Sequence, residues 1–306
     1  MGNQTSPMEF ILSDISEIPS IQIPLSIIFL TVYIIALMGN WVLIVIIYIH
    51  PFLQTPMYFF ISNLGCLDIF YISTTVPKML VNSLTCWKTI SFGGCVTQLY
   101  FYLVMAATES TLLSTMAFDR YMAICNPLRY SAIMNNKLCL QLALSSWLTG
   151  FCYSAIHTAT TFRLDFCRSN VINHFFCDIL PLLTISCTDT NINMIVVYVV
   201  GGLLVSVCFP LIIISYIYII KTILKIPSAL GRRKTFSTCV SHLSSVYLFY
   251  FSGSFAYFRP PSSNSLYHNK INAVFYTILP PMLNPLIYSL RNKELKRAIK
   301  RASGTI

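Results

Sequence analysis

Long apolar runs separated by short polar stretches dominate this chain. From Ile18 to Leu67, a stretch of 50 residues, there is no Lys, Arg, Asp or Glu. As one helix rising about 1.5 Å per residue it would reach roughly 75 Å, against a bilayer core of about 30 Å, so the run must fold back. The turn falls at "HPFLQTP", where Pro51 and Pro56 lack a backbone donor and push their predecessors out of the α region. Two spans result, near 25–49 and 57–81, and the same pattern predicts five more near 96–122, 138–160, 195–221, 236–258 and 270–290. Such segments are too long and too continuously apolar for the strands of a membrane barrel, which leaves helices to satisfy the backbone in lipid. The predicted fold is an all-α membrane protein, a seven-transmembrane-helix bundle in one domain. Residues 1–24 form an extracellular tail, 25–290 the bundle, and 291–306 a cytoplasmic helix and tail.

Composition agrees with lipid as the solvent: 56% of the 306 residues are hydrophobic, 10% are charged, and the mean hydropathy is +0.69. The net charge of +10 is placed asymmetrically, since 14 of the 20 Lys and Arg fall in the loops and tail that are cytoplasmic when the N-terminus is outside. The positive-inside rule therefore sets the N-terminus outside. No aromatic-interleaved basic patch accompanies the charge, which argues against a nucleic-acid partner and for anionic inner-leaflet lipid and an intracellular partner. The first 24 residues have no basic n-region, so no cleavable signal peptide is expected and the first span inserts as its own signal. Asn3-Gln4-Thr5, on the predicted outer tail, is the only glycosylation sequon. At the other end, "NKELKRAIKRA" sets Leu295, Ala298, Ile299 and Ala302 on one side of a short amphipathic helix that suits the inner membrane surface.

Five of the 11 cysteines, Cys86, Cys95, Cys167, Cys177 and Cys187, lie in predicted outer loops. One bridge within the loop near 161–194 and one from it to the third helix would pin a lid over the bundle mouth. Cys95–Cys177 and Cys167–Cys187 is the favoured arrangement, with Cys86 left over, although spacing alone leaves connectivity open. Within the spans only Asp68 and Glu109 carry charge away from the ends, at a cost of about 2.5–3.5 kcal/mol each. Glu109 precedes Arg120 by about three helical turns, so Tyr102, Ala106, Glu109, Leu113 and Arg120 form one stripe facing the interior. If Asp68 faces it too, the carboxylates share a proton, hold a small cation such as Na⁺, or form a neutral plug that packs helices. At the cytoplasmic end, Asp119 can restrain the Arg120 guanidinium in one state and release it in another.

The Asp119-Arg120-Tyr121 triplet has company. The chain carries "LQTPMYFFISNLG" (53–65), "PKML" (77–80), "MAFDRYMAICNPLRY" (116–130), "HFFCDILPLL" (174–183), "SCTDT" (186–190), Ser215-Tyr216, "RKTFSTCVSHL" (233–243) and "PMLNPLIYSLRN" (281–292). In that order, over essentially the whole chain, these motifs resemble the vertebrate odorant receptors among the rhodopsin-like G-protein-coupled receptors. Departures are Gln54 and Asn126 where the family usually has His, Gly65 for a usual Ser, Phe118 where Tyr is common, and Phe251 where Gly is frequent.

The resemblance implies an odorant pocket between the third, fifth, sixth and seventh helices. Its walls would be Leu99, Tyr102, Leu103, Ala106 and Ala107, then Val200, Gly201 and Leu204, then Gly253, Ser254 and Tyr257, then Val274 and Thr277. It assigns activation and G-protein coupling to Asp119, Arg120, Tyr121, Tyr216, His242, Tyr250, Asn284 and Tyr288, with Tyr250 as pivot of the sixth helix. The implied partners are a small-molecule odorant and a heterotrimeric stimulatory G protein of the olfactory type that raises cAMP, at the plasma membrane of olfactory cilia. No cofactor is expected, other than the small cation that Asp68 and Glu109 could hold. With Tyr at 102, no carboxylate in the expected upper pocket and no Lys inside the seventh span, the ligand is expected to be a small neutral volatile rather than an amine or retinal. The main rival is a transporter or proton relay through Asp68 and Glu109. A hydrolase ranks third because no nucleophile or metal motif accompanies the carboxylates.

Overall fold

The computed structural model describes residues 9–15, 18–85, 88–257, 265–291 and 293–302, so Asn3 and Cys86 lie outside the described residues. The helices run α1 (Pro19–Ile49), α2 (Pro56–Leu84), α3 (Phe92–Cys125), α4 (Pro127–Ile133), α5 (Asn136–Phe162), α6 (Ile179–Thr184) and α7 (Asn191–Val196). A π-turn over Val197–Gly201 then leads into α8 (Gly202–Leu224), α9 (Ala229–Tyr257), α10 (Ser265–Thr277), α11 (Leu279–Arg291) and α12 (Lys293–Ala302). Pro51 and Pro56 do turn the first apolar run: a 3₁₀ turn at Pro51–Leu53 separates α1 from α2.

Among the described residues five stretches are long and apolar enough to cross a membrane: Ser20–Ile49, Pro56–Leu84, Phe92–Cys125, Asn136–Phe162 and Asn191–Leu224. The sixth expected span falls within α9, a helix richer in Ser, Thr and His whose first turns carry the basic run at Arg232 and Arg233. The seventh is divided between α10 and α11, with the break at Ile278. Pro280 and Pro281 explain the break, since neither supplies a helix donor. Backbone bonds from Ile278 to Val274 (3.1 Å) and from Met282 to Ile278 (3.3 Å) carry the chain across it.

Burial sorts these helices. In α3, 72% of the apolar window is buried, against 28% in α1 and 11% in the α7–α8 stretch, so α3 is the central post and the others turn apolar faces outward. Apolar contact alone gives little drive for helices to associate in lipid, so small residues and buried polar groups set the spacing. Asn40 is one such group: its Nδ2 donates to Ala36 O (3.0 Å) and to Pro281 O (2.9 Å), joining α1 to α11. Gly150 is another. A Cβ there would stand 2.1 Å from Thr108 Oγ1 and 2.7 Å from Val104 O, so α5 reaches α3 only because position 150 has no side chain.

The outer end is not all helix, which the pattern of apolar runs did not predict. Strands β1 (Glu9–Leu12), β2 (Thr89–Ser91) and β3 (Val171–Ile172) form a sheet in the order β2-β1-β3. β1 runs antiparallel to β2, with Phe10 opposite Ile90, and parallel to β3, with Ile11 opposite Val171. Part of the expected extracellular tail is therefore a strand, and α1 starts at Pro19, ahead of the expected span. The cause is burial: Phe10 and Leu12 are fully enclosed, and the Phe10 ring sits 6.0 Å from Phe92 and 5.4 Å from Phe166. Asp14 fastens the strand below. Its carboxylate pairs with Lys88 and accepts from Gln22 Nε2 (2.9 Å), and its carbonyl accepts from Lys270 Nζ (2.8 Å) at the start of the last helix pair.

Gly150→Ala should lower the thermal stability of the purified chain by about 1–3 kcal/mol through overpacking against Thr108 and Val104. A melting curve identical to the parent's contradicts the close approach.

Candidate functional site

Beneath the outer cap lies a cavity of about 200 Å³. That is smaller than the roughly 300–1,000 Å³ of drug-sized sites and suits a ligand of few atoms. Its roof is the segment after β3. The structure joins Cys95 to Cys177, with Cα atoms 5.6 Å apart, which ties this segment to the top of α3. Gln98 reinforces the tie by accepting from Cys177 N (2.9 Å) and donating to Thr74 O (2.8 Å). Cys167 is joined to Cys187 within the same loop, Cα to Cα 5.7 Å, matching the favoured arrangement. Asp178 then caps α6 through a bond from Ile179 N (2.7 Å) and accepts from the Tyr276 hydroxyl (3.3 Å), and both Ile179 and Tyr276 face the cavity.

Eight of the residues expected at the pocket line this cavity: Tyr102, Leu103, Ala106 and Ala107 on α3, Gly201 and Leu204 at the π-turn and α8, and Gly253 and Ser254 on α9. Four do not. Leu99 is fully buried one turn above Tyr102, among the residues that anchor the roof. Val200 gives way to Val197, Tyr198, Gly202 and Val205, because the π-turn adds a residue and rotates what precedes it off a 3.6-residue register. Val274 and Thr277 give way to Tyr276, and Thr277 spends its hydroxyl on Ala273 O (2.7 Å). The Tyr257 side chain lies outside the described residues.

The remaining wall residues were missed. Tyr71 on α2 and Tyr153 on α5 bring in two helices left out of the expected pocket, and Ser110, Phe249 and Tyr250 form the inner end. Tyr153 and His157, four residues apart in an apolar run, were the available signal, because a helix sets such a pair on one face.

Below the cavity the expected activation residues form a descending series. Tyr250 Oη and Ser110 Oγ are 2.9 Å apart, joining α9 to α3. Asn284 Nδ2 donates to both oxygens of Asp68 (3.2 and 3.0 Å), and neither oxygen of the buried Glu109 has a hydrogen-bond partner. Deeper still, His242 bridges Tyr216 (2.8 Å, through Nδ1) and Leu113 O (3.0 Å, through Nε2), while Tyr288 is buried.

At the inner end one detail differs from expectation. Asp119 takes a bond from the Tyr130 hydroxyl (2.8 Å) on α4, and Arg120 Nε and Nη2 have no partner. Adjacent residues on a helix point about 100° apart, so Asp119 meets the α4 tyrosine rather than its neighbour. Burial, and then the Asp119 carboxylate, push the Tyr130 hydroxyl well above its ordinary range, keeping it a donor. Tyr121 stands outside this series with its ring 5.9 Å from Tyr218.

Comparison with known proteins fits this arrangement. The olfactory receptor family model matches residues 29–304. Human olfactory receptor 5I1 is 51% identical over 299 residues, covering 98% of this chain and 95% of its own length. Human olfactory receptor 5B12 is 48% identical over 304 residues, covering 99% and 97%. The olfactory receptor-like protein OLF1 of Canis lupus familiaris is 50% identical over 301 residues, covering 98% and 97%. The chain belongs to the olfactory receptor family, so the resemblance carried by its motifs is borne out. It is a multi-pass plasma-membrane receptor for odorants, coupled to G proteins and not an enzyme.

The roof supplies a pH test. Burial, and then the Lys270 cation, push the His174 imidazole down to about 3 from an ordinary 6.5, with a backbone bond to Phe176 acting the other way. The folded loop therefore holds His174 neutral, while an unfolded loop protonates it below about 6.5. Its contribution to stability is complete above that pH and is lost as pH falls toward about 3, which amounts to roughly 2 kcal/mol by about pH 5. The melting temperature of the purified receptor should drop between about pH 7.5 and about pH 5, and His174→Phe should flatten that drop; an unchanged slope in the variant contradicts the assignment.

Proposed function

We propose that the chain is a seven-span odorant receptor, N-terminus outside, that binds small, mostly apolar, neutral volatiles in the cavity and activates a stimulatory olfactory-type G protein to raise cAMP. The observation that carries this reading is the position of Tyr250. It is at once part of the cavity wall and hydrogen-bonded to Ser110, so a molecule in the cavity bears directly on the α3–α9 contact. The wall itself holds tyrosines, serines and apolar side chains and no charged residue among those described, which favours neutral ligands.

In this reading ligand binding shifts the balance between two states of the bundle. Disturbing the Tyr250–Ser110 contact frees the inner half of α9. The bonds of His242 to Tyr216 and Leu113 then re-form around Arg120, whose unpartnered donors are released toward the cytoplasm to meet the G protein. Asp119, held by Tyr130, positions the turn from which Arg120 projects. Asn284 and Tyr288 complete the inner contacts.

Asp68 and the two unpartnered oxygens of Glu109 form a buried oxygen set that suits a small hard cation, so we assign a core Na⁺ to this pair. Bound there, it would offset one of the two negative charges and stabilise the resting state. The rival reading of a transporter or proton relay through the same two carboxylates requires flux without any G protein. Glycosylation of Asn3 and delivery to olfactory cilia complete the proposal.

Arg120→Ala should abolish odorant-driven cAMP, a loss of at least about a hundredfold, in cells whose surface receptor is matched to the parent by antibody labelling. An undiminished agonist response from the variant contradicts the assigned role.

A further inference from the structure

Several of the hydroxyl groups around the cavity already have partners. Tyr276 donates to Asp178 (3.3 Å) and Ser254 to the Tyr250 carbonyl (2.6 Å). Ser110 meets Tyr250 at 2.9 Å. The Tyr71 and Tyr102 rings pack with centroids 5.6 Å apart. Tyr198 leaves 57% of its surface on the outside of the bundle.

Tyr153 stands apart on α5. Half-buried on α5, it lies against the buried His157 ring, centroids 4.4 Å apart, and its hydroxyl points across the cavity at Gly201. A Cβ on Gly201 would stand 3.3 Å from Tyr153 Oη, so the glycine leaves room beside the hydroxyl without supplying an acceptor. No described residue takes the Tyr153 proton. Beside it on α5, His157 Nε2 and Thr158 Oγ1 are buried without partners, as is Asn193 Oδ1, whose Nδ2 donates to Thr160 O. A donor on the cavity wall from which no described residue accepts is open to a ligand oxygen, which gains a hydrogen bond there.

We infer that Tyr153 is a specificity-determining donor and that the receptor favours volatiles bearing a carbonyl oxygen, namely ketones, aldehydes and esters, over hydrocarbons of the same shape. A carbonyl fits this gap because it accepts the open proton and brings no further donor to a wall where the Ser110, Ser254 and Tyr276 hydroxyls are already bonded. The inference rests on the odorant reading above and narrows its ligand class. It also gives α5 a direct part in recognition.

The test uses the full chain in cells, with G-protein activation as readout, against aliphatic ketones and the matching alkenes in which a methylidene group replaces the carbonyl oxygen. The parent should answer ketones at concentrations about tenfold lower than alkenes, the factor expected for one enclosed hydrogen bond. Tyr153→Phe should raise the half-maximal concentration for ketones about tenfold, leaving alkene responses and surface level unchanged. Gly201→Ala, which crowds the hydroxyl from the opposite wall, should move ketone responses in the same direction and serves if the first variant fails to reach the surface. Equal losses for ketones and alkenes in Tyr153→Phe, or a ketone preference that survives it, overturn the donor role while leaving the odorant reading intact. Silence of the surface-displayed parent toward both series, with G protein present, overturns both.

Discussion

The enclosure of α3 by its neighbours is the constraint on which the rest depends. In lipid an apolar helix face gains little by meeting another apolar face, so a helix becomes central only through close approach and polar contact. Gly150 lets α5 come within reach of the α3 backbone, and the Cys95–Cys177 link fixes the roof to the outer end of α3. Ser110, Leu113 and Asp119 then offer bonding positions along its length to α9 and α4. The cavity wall, the buried carboxylate and the inner arginine therefore share one rigid element. A displacement at Ser110 is felt along the same helix that carries Arg120.

The outer cap meets a second constraint. Backbone outside a helix must find partners, and the N-terminal segment finds them by adding a strand between β2 and β3. Asp14 joins that strand to Lys88, Gln22 and Lys270, drawing the starts of the first and last helices toward the loop between α2 and α3. The roof is consequently held from several sides above the cavity. A hydrogen bond made on a largely apolar wall is stronger than one in water, and an unmade one is costly. That is why the open hydroxyl of Tyr153 carries information about the ligand while Tyr276, already bonded to Asp178, carries less.

Much of this was legible in the chain itself. Apolar run lengths located five membrane-length helices among the described residues, Pro51 and Pro56 located the first turn, and the lone carboxylates Asp68 and Glu109 located the interior because charge in lipid is too costly to leave outside. Family motifs led to eight of the wall residues. The misses have specific causes. The π-turn at Val197–Gly201 shifts register at a place where nothing in the local composition marks it, which moved Val200 off the wall. The break at Ile278 likewise exchanged Val274 and Thr277 for Tyr276.

By itself the sequence determined the properties that local chemistry and bilayer thickness dictate: long apolar helices, a turn at their prolines, and lone carboxylates in the interior. Those properties depend on each segment's own transfer energy and need no knowledge of its neighbours. Tertiary structure decided the rest: the sheet over the mouth, Asp119 bonding to Tyr130 instead of Arg120, and the hydroxyl left without an acceptor. Each is a matter of which groups from distant parts of the chain arrive within about 3 Å of one another, and no local pattern encodes that.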